Sequence, residues 1–557
     1  MQLSKKQIII FNILAVICIS LFCAGIAPKT LQNDTYYNIK IGEYVAQNGI
    51  SDLTQDPFSW HNLPYTYPHW LYDLGMYIIY NNFGHPGVYA STIVLTCLLG
   101  LSLYMLCTKV SKNQLVSFII TLGAIYLMKS FIAARAQLIT FLLFTLAVYS
   151  IEMFLETHKK RYAVFLIIIP LLIANLHCAV FPFYFILFLP YIAEFLLITI
   201  IDADLDKRLI YITCRLLKKI FKQEKLQAKF DKICENMKLN ISERNKRRET
   251  LKENPYKIKV KKDRIVAVLI IVMAFALLTG FINPAGNNAY TYLYKTMQGN
   301  TTNSINEHQP MVLIQNREFI CALVLFLSIL IFTDTKIKLA DLFMLIGLTY
   351  LTFQTKRQVT MFALFCAPIL VKLISSMFEK YDKKTCFRLV SYASSWFGFI
   401  MVTSLFVIIS VKMIKPMLNS NYVDMATYPV EASTWILDNL DVENIKLYDE
   451  YNFGSYLLFR GIPVFIDSRA DLYSPEFNED KENNIPGRDI FSDALNTAGL
   501  SVNYKDTFPK YGITHALMYK DAKLAMVMKD DPDYELIYNQ GNFKIFVRLT
   551  PYEIIDN

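Results

Sequence analysis

Long apolar segments follow one another along most of the chain, and short polar stretches separate them. A helix needs roughly 17–25 such residues to cross a bilayer. About eleven segments are of this kind, although several are short or interrupted by proline. They lie at 8–26, 86–107, 114–128, 137–155, 162–176, 181–201, 265–282, 319–332, 337–353, 360–377 and 394–413. The pattern predicts a mainly α membrane protein with about eleven transmembrane helices.

The hydropathy changes after about residue 415, where the chain becomes charged and has no segment long enough to span a membrane. A helical pattern lies at 430–440. Short apolar runs predict strands at 445–448, 456–459, 464–466, 515–519, 535–538 and 543–549. An Asn-Gln-Gly-Asn turn between the last two predicts a hairpin. We therefore predict a membrane domain at 1–414 and an α/β domain at 415–557.

Composition supports a membrane protein. Hydrophobic residues make up 54% of the chain and charged residues 18%, with a mean hydropathy of +0.31, whereas soluble domains carry about 25% charged residues. The ten cysteines avoid the segment 29–95 and the chain after Cys386, so the sequence does not indicate a disulfide framework. It also lacks a Walker loop, a Gly-x-Ser-x-Gly elbow, a His-Glu-x-x-His motif and a Cys-x-x-Cys motif.

The distribution of Lys and Arg predicts the orientation of the helices. The insertion 202–264 holds 20 Lys and Arg against 10 Asp and Glu, and positively charged loops tend to stay in the cytoplasm. The basic loops 109–112, 159–161 and 380–388 fall on the same side when eleven helices are counted. We therefore predict a cytoplasmic N-terminus and an extracytoplasmic C-terminal domain. Apolar residues at helical spacing within the insertion predict an amphipathic helix facing solvent or lipid, and no motif indicates nucleic-acid binding.

With this topology, the conspicuous polar residues at helix ends gather on the outer side. They come from the first outer loop, 28–85, and from four later turns. These residues are Asp34, Glu43, Asp56, Trp70, Asp73, Arg135, Asn175, His177, Glu307, Gln309, Lys356 and Arg357. Charged groups at a membrane boundary are costly, and they usually face a cavity or pair with one another. We predict an outer cleft, with cations for an anionic head group and carboxylates for acid–base chemistry.

Several of these residues also have a purely structural interpretation. His177 could be a buried histidine with satisfied hydrogen bonds. Lys356 and Arg357 could anchor a helix end at lipid phosphates. Glu307 could be a surface acid. Asp34 could cap the helix predicted just after it, because the residues around it form a good capping sequence.

Short motifs along the chain carry a resemblance to a known superfamily. In the first outer loop they are Asp34-Thr-Tyr-Tyr-Asn-Ile-Lys-Ile-Gly-Glu43, Asn48-Gly-Ile50, Asp56-Pro-Phe-Ser59 and Trp70-Leu-Tyr-Asp73. Later motifs are Ala174-Asn-Leu-His177, Asn283-Pro284-x-Gly286, Glu307-His-Gln-Pro310, Tyr451-Asn-Phe-Gly-Ser-Tyr456 and Phe465-Ile-Asp-Ser-Arg469-Ala-Asp471. In this order they resemble the GT-C membrane glycosyltransferases, most of all uncharacterised bacterial multi-pass members. Protein O-mannosyltransferases, lipid A aminoarabinose transferases and the oligosaccharyltransferase catalytic subunit are more distantly similar.

The resemblance implies an enzyme of the bacterial plasma membrane. Its donor would be a sugar linked through phosphate to a polyprenyl lipid, and transfer would usually invert the anomeric centre. In the superfamily an acidic residue of the first outer loop is essential, and Asp34 matches its position. Asp34 is followed by Thr35, so the paired acids of the mannosyltransferases are missing. The tail also lacks the Trp-Trp-Asp acceptor motif of oligosaccharyltransferases.

The first functional hypothesis is sugar transfer to an acceptor hydroxyl at the outer face, with Asp34 as the general base. Glu307 would orient the acceptor, which is an undefined glycan, lipid or protein. The candidates for stabilising the departing phosphate are Arg135, His177, Lys356 and Arg357. The candidates for other substrate contacts are Glu43, Asp56, Trp70, Asp73, Asn175 and Gln309. Asp34 and Glu307 could also hold a divalent cation, Mg²⁺ or Mn²⁺, whose presence the sequence does not decide.

Two alternatives from other classes stay open. One is a transporter or flippase of a lipid-linked anionic substrate, which would use the same cations as a binding site. Transporter sites tend to lie near the bilayer midplane, and transporters often have repeated halves, but the sequence shows no repeat. The other is a non-catalytic membrane protein whose outer domain binds glycan.

Overall fold

The computed structural model describes residues 3–50, 54–202, 205–220, 224–250, 257–259, 263–299, 301–479, 486–550 and 552. Parts of the predicted insertion 202–264 therefore lie outside the described residues. Most described residues are helical, and a small sheet lies near the C-terminus. Through residue 202 the α-helices are α1 (Lys5–Ile26), α2 (Asn33–Asn48), α3 (Trp70–Ser111), α4 (Gln114–Leu127), α5 (Ala136–Thr157), α6 (Lys160–Leu176), α7 (Phe181–Ile186) and α8 (Leu189–Asp202).

The middle of the chain contains the helices of the insertion and a second group of apolar helices. The insertion forms α9 (Leu205–Ile220) and α10 (Glu224–Thr250) and is followed by strand β1 (Ile258–Lys259). The next helices are α11 (Ile265–Leu278), α12 (Asn288–Gln298), α13 (Thr301–Ser304), α14 (Arg317–Phe332), α15 (Leu339–Gln354), α16 (Val359–Tyr381), α17 (Lys383–Ala393) and α18 (Trp396–Leu418). Strand β2 (Ile337–Lys338) precedes α15 and pairs in parallel with β1.

Each of the eleven predicted apolar segments contains a helix. Among the described residues, six helical stretches are long and apolar enough to cross a membrane: Lys5–Ile26, Trp70–Ser111, Ala136–Thr157, Cys178–Ile200, Lys356–Tyr381 and Trp396–Leu418. Shorter apolar helices lie at Gln114–Leu127, Ile265–Phe281 and Leu339–Gln354. These helices confirm a mainly α, membrane-type architecture, whereas the count of eleven spans stays a prediction.

The helix bundle has two chemically different ends. The basic end holds the start of α1 and the start of α18, and there Gln7 Nε2 donates a hydrogen bond to Ser391 Oγ at 2.9 Å. The opposite end carries Asp34 and Arg135 and is called the site end. There α1 and α18 lead into the first loop and the tail, and Lys29 Nζ donates to the carbonyl oxygen of Leu418 at 3.0 Å. Three predicted basic loops lie at the basic end, namely 109–112, 159–161 and 380–388. Residues from these loops or directly beside them surround one space there.

The tail after α18 combines short helices with a small mixed sheet. Its helices are α19 (Val430–Asn439), α20 (Gly454–Phe459), α21 (Pro475–Asn478), α22 (Ile490–Ala498), α23 (Tyr504–Tyr511) and α24 (Lys523–Met528). Its strands are β3 (Leu447–Tyr448), β4 (His515–Tyr519), β5 (Tyr534–Gln540) and β6 (Phe543–Arg548), in the order β3-β4-β6-β5. Strands β3 and β4 are parallel and the other pairs antiparallel. The predicted hairpin is β5–β6, and Gly541 in its turn has a φ of 60°.

The strand predicted at 456–459 is wrong, because these residues belong to helix α20. The ring of Tyr456 packs edge-on against Tyr36 of α2, with ring centroids 5.1 Å apart. The helix begins at Gly454, where an added Cβ would lie 1.9 Å from the carbonyl oxygen of Ile466. Glycine is therefore needed for this close approach, and short apolar runs do not distinguish a helix from a strand.

The strand predicted at 464–466 is also wrong. Val464 forms only a single parallel bridge, with Ser59 of the first loop. Its backbone N–H donates to the carbonyl oxygen of Phe58 at 3.2 Å. This part of the tail therefore pairs with the first loop and not with the sheet of the tail.

The first loop and the tail share one hydrophobic core. A continuous set of buried side chains includes Tyr36 and Leu63 from the first loop together with Tyr448 and Phe465 from the tail. A separate core runs through the membrane helices. The shared core holds the start of α2 and the tail together at the site end, and burying large apolar side chains is the main favourable term for such packing.

Lys372 of α16 lies among the membrane helices between two carboxylates. Its Nζ donates to Glu152 Oε1 at 3.0 Å and to Asp341 Oδ1 at 3.2 Å. The Lys372, Glu152 and Asp341 side chains are only 16%, 15% and 8% exposed. Their burial makes the pairing important, because a charge without its partner is costly inside a protein.

Replacing this lysine should destabilise the protein strongly. We expect Lys372→Met to lower the free energy of unfolding by about 3–5 kcal/mol, because two buried carboxylates lose their cation. The matched control is Lys380→Met on the same helix, whose ion pair with Asp334 is largely exposed, and exposed pairs contribute little. Thermal unfolding of both variants in one detergent measures the difference, and equal Tm values would contradict the expectation.

Candidate active site

Asp34 and Arg135 form the centre of a charged cluster at the site end. Asp34 lies in the first turn of α2, and Arg135 directly precedes α5. Arg135 Nε donates to Asp34 Oδ2 at 2.6 Å, and Nη2 donates to the same oxygen. The Arg135 and Asp34 side chains are 26% and 17% exposed. The carboxylate is therefore largely enclosed but still accessible.

The predicted capping role of Asp34 is wrong. Helix α2 begins one residue before Asp34, with Gln32 at its N-cap and no side-chain capping hydrogen bond. The carboxylate instead faces Arg135. The buried hydroxyl of Thr35 donates to the carbonyl oxygen of Ala134 at 3.0 Å. This bond fixes the start of α2 against the turn that carries Arg135.

Glu307 and Arg357 extend the cluster. Arg135 Nη1 lies 3.8 Å from Glu307 Oε2, and Arg357 Nη1 lies 3.8 Å from Glu307 Oε1. His308 Nε2 lies 3.4 Å from Arg357 Nη1. Negative and positive groups therefore alternate from Asp34 through Arg135 and Glu307 to Arg357.

Neighbouring charges set the protonation states in this cluster. Burial alone would lower the pKa of Arg135, but the carboxylates of Asp34 and Glu307 raise it above its ordinary value. Burial and then the guanidinium of Arg357 lower the pKa of His308 below its ordinary value. The imidazole of His308 is therefore neutral at pH 7, and the two arginines supply the positive charge.

His177 follows α6 and is buried beside the cluster. Its Nδ1 lies 2.9 Å from the hydroxyl of Thr140. Burial, followed by the charge of His69, lowers the pKa of His177 well below its ordinary value. Phosphate binding by His177 stays a prediction, and a neutral imidazole would contribute a hydrogen bond to the phosphate and not a charge.

Asn175 connects the first loop to the membrane helices. Its Oδ1 accepts a hydrogen bond from Trp70 Nε1 at 3.2 Å. Its Nδ2 donates to the carbonyl oxygen of Ile282, after α11, at 2.9 Å. Asn175 and Trp70 therefore contact each other, and their polar groups hold three separate turns together.

Asp73, in the first turn of α3, is fully buried. Its Oδ1 accepts from Asn38 Nδ2 at 2.7 Å, and its Oδ2 lies 3.8 Å from His69 Nδ1. The ring centroid of His69 lies 5.4 Å from that of His177. Asp73 is therefore linked to His177 through His69, but its carboxylate is not open to a substrate.

Two residues of the tail, Tyr451 and Asp471, lie at the cluster although the sequence did not assign them to it. Asn33 Nδ2 donates to the carbonyl oxygen of Tyr451 at 2.8 Å, and burial followed by the charge of Asp34 raises the pKa of Tyr451. Asp471 Oδ2 accepts from the hydroxyl of Thr296 at 3.2 Å. Both residues belong to the tail motifs that carry the superfamily resemblance, which is the signal that could have found them.

Comparison with solved structures characterises the architecture. The archaeal oligosaccharyltransferase AglB from Archaeoglobus fulgidus, in complex with an inhibitory peptide and a dolichol-phosphate, matches with a TM-score of 0.53 over 96% of this chain and 74% of AglB. The fold resembles that of AglB. The apo form of AglB gives a TM-score of 0.53 over 92% of this chain and 69% of AglB. A form tethered to an acceptor peptide with an NVT sequon gives 0.50 over 96% and 73%.

Sequence identity to AglB is 14% in all three comparisons. No family model matches the sequence, and no curated protein matches it at a significant level. At this level of identity the comparisons show the fold alone, and the fold of this chain is similar to that of AglB.

Within the AglB-like fold, Glu43 and Asp56 make their contacts away from the cluster. Glu43 Oε2 lies 2.7 Å from Lys40 Nζ on the same helix. Asp56 is buried, and its Oδ1 accepts from Arg469 Nη1 at 2.6 Å. These contacts do not place the two acids in the cluster, and those of Asp56 join the first loop to the tail.

Gln309 and Lys356 lie beside Glu307 and Arg357 in sequence, but their contacts are with each other and with Asn306. The backbone N–H of Lys356 donates to the carbonyl oxygen of Gln309 at 3.0 Å. Lys356 Nζ donates to Asn306 Oδ1 at 2.6 Å. Gln309 itself is exposed. Lys356 therefore adds positive charge at the edge of the cluster, and Gln309 contributes its backbone.

The arrangement of Asp34 and Glu307 does not fit a resident divalent cation between them. Arg135 contacts both carboxylates, so its guanidinium occupies the space between them where a divalent cation would have to lie. In the part of the chain that the structure describes, no group of three or more His, Cys, Asp and Glu side chains could hold a metal ion.

Proposed function

We propose that the protein transfers a sugar from a polyprenyl-phosphate-linked donor to an acceptor hydroxyl at the outer face of the membrane. The observation that carries the proposal is the alternating cluster of Asp34, Arg135, Glu307 and Arg357 at the site end of an AglB-like fold. AglB has been captured with a dolichol-phosphate and with acceptor peptide. These complexes support a lipid-linked donor and a separate acceptor for a site built on the same architecture.

The site end faces the outside of the cell in this proposal. The basic loops lie at the opposite end of the bundle, and loops rich in Lys and Arg tend to stay in the cytoplasm. This asymmetry supports a cytoplasmic N-terminus and an extracytoplasmic tail in a bacterial plasma membrane. A lipid-linked donor in the outer leaflet would then reach the cluster from the side of the bilayer.

One displacement at the anomeric carbon accounts for the arrangement. Asp34 accepts the proton of the acceptor hydroxyl. At the same time, the oxygen of that hydroxyl forms a bond to the anomeric carbon. The bond from that carbon to the phosphate oxygen breaks, and its electron pair leaves on the polyprenyl phosphate. Attack opposite the phosphate inverts the anomeric centre. A positioned general base contributes roughly 10²–10⁴-fold to such a rate.

The two arginines act on the departing phosphate. Arg135 contacts Asp34 and Glu307, and a donor phosphate would compete with these carboxylates for its planar guanidinium. A contact from Arg135 to phosphate would release Asp34 from its ion pair and make it a better base. Arg357 offers a second guanidinium for the charge that develops on the leaving group.

The acceptor side of the site lies towards the tail. Tyr451 and Asp471 come from the tail, and Asp471 accepts a hydrogen bond from Thr296 in α12. Their positions support entry of the acceptor between the tail and the cluster, where Glu307 would orient it. The acceptor in this proposal is a hydroxyl group of a glycan, a lipid or a protein.

Binding of undecaprenyl phosphate to full-length protein in phosphatidylcholine nanodiscs tests the cationic part of the site. Charge-assisted hydrogen bonds are worth about 1.5–3 kcal/mol, so Arg357→Gln should lower the affinity about tenfold or more. The matched control is Arg317→Gln, because Arg317 is an exposed arginine at the start of α14. If Arg357→Gln binds as tightly as the control, the proposed phosphate contact is wrong.

A further inference from the structure

A cavity of about 800 Å³ lies at the basic end of the bundle, remote from the cluster around Asp34. Its walls come from the ends of α3 and α5, from α8, from the starts of α15 and α17 and from the second half of α16. The paired strands β1 and β2 join the end of the insertion to the start of α15 at its edge. Many separate parts of the chain thus enclose one space, which the proposed transfer reaction does not use.

The floor of the cavity is the buried group of Lys372, Glu152 and Asp341. Tyr191 adds to it by donating a hydrogen bond to Glu152 Oε1 at 3.0 Å. Ser375 also lines the cavity, and its buried hydroxyl oxygen has no hydrogen-bond partner. Such a hydroxyl is unusual, because buried polar atoms are normally paired. The floor therefore offers a polar group that a ligand in the cavity could satisfy.

The rim of the cavity carries unbalanced positive charge. Among the described residues, five lysines that line the cavity make no ion pair: Lys109, Lys112, Lys259, Lys338 and Lys383. With Lys336, the described part of the rim holds six lysines against four acids, which are Glu156, Glu194, Asp263 and Glu379. Lysine side chains converging on one space favour an anion, because each ammonium offers three donors and a full charge.

We propose that this cavity binds a phosphate-bearing anionic group. The lysines of the rim hold the phosphate oxygens, and the floor supplies a hydroxyl. Two sources share this chemistry: the head group of an anionic lipid in the adjacent leaflet, and a soluble phosphate compound that enters from the aqueous side. The binding does not depend on sugar transfer at the other end of the molecule.

Two probes distinguish the sources. Retention of phosphatidylglycerol by the detergent-purified full-length protein, counted by native mass spectrometry, reports the lipid source. Calorimetric titration with inorganic pyrophosphate in phosphatidylcholine nanodiscs reports the soluble source. We expect at least one probe to bind, and the combined variant Lys109→Ala/Lys338→Ala/Lys383→Ala to weaken that binding about tenfold or more, because charge-assisted contacts are lost.

The matched control removes the same charge from the same end without touching the cavity. It combines Lys5→Ala, Lys6→Ala and Lys159→Ala, all exposed lysines outside the cavity lining. The six lysines are exposed, so both variants should keep the Tm of the parent protein. Binding that both variants weaken equally, or that the cavity variant leaves unchanged, would overturn the proposal. Binding that survives in the cavity variant would belong elsewhere, for instance to the arginines of the site end.

Discussion

Asp34→Asn should abolish sugar transfer while the protein still folds and inserts into the membrane. The amide is nearly isosteric with the carboxylate but cannot accept the proton of the acceptor hydroxyl. Loss of a general base costs roughly 10²–10⁴-fold in rate. The assay is transfer of label from a lipid-linked sugar pool by full-length protein in liposomes, with membrane insertion and Tm followed in parallel.

The control for this variant is Glu318→Gln. Glu318 is an exposed acid near the site end, in the first turn of α14, and it lies 3.9 Å from Lys129. We expect its replacement to leave transfer unchanged. Full activity of Asp34→Asn would remove the base from the proposed reaction. Movement of labelled lipid across the liposome without cleavage of its sugar would instead favour a transporter.

Arg469→Met should cause the largest loss of stability in the tail. Arg469 Nη1 donates to Asp56 Oδ1 at 2.6 Å, and Nη2 donates to Asp467 Oδ2 at 2.6 Å. The side chains are at most 3% exposed. Without the guanidinium, two buried carboxylates remain unpaired, and breaking such a group costs about 3–5 kcal/mol. Thermal unfolding in detergent measures this loss.

A variant in which all three charged side chains are replaced by uncharged ones tests this explanation. Arg469→Met together with Asp56→Asn and Asp467→Asn removes the unpaired charges and should recover part of the stability. Arg460→Met serves as the comparison, because Arg460 contacts the hydroxyls of Ser433 and Thr434 and no carboxylate. If the single Arg469 variant unfolds at the same temperature as the Arg460 variant, the buried ion group does not stabilise the contact between the tail and the first loop.

The sequence predicted the helices well because apolar segments of sufficient length have few alternatives in a membrane. It predicted the short elements of the tail less well. The run at 456–459 is as apolar as a strand, yet it forms part of α20 and packs on α2. A short apolar run does not show the periodicity that distinguishes a helix from a strand. The choice depends on packing against the first loop, which local sequence does not contain.

The sequence also predicted that charged residues from separate turns would share one end of the bundle, because topology alone decides which turns lie together. It could not show which of them meet. Asp34 and Arg135 are 101 positions apart, and Asp56 and Arg469 are 413 apart. Both pairs join an acid to an arginine, yet one lies in an accessible cluster and the other is buried. Their different burial, which only the fold reveals, separates the candidate site from a structural ion group.

The most direct test of the central claim is a cryo-electron microscopy structure of the full-length protein with undecaprenyl phosphate in nanodiscs. We expect the phosphate at the site end, in contact with Arg135 and Arg357, with the carboxylate of Asp34 released from its arginine and facing an open space below the tail. Phosphate density found only away from these arginines, with the pair between Asp34 and Arg135 intact, would contradict the account.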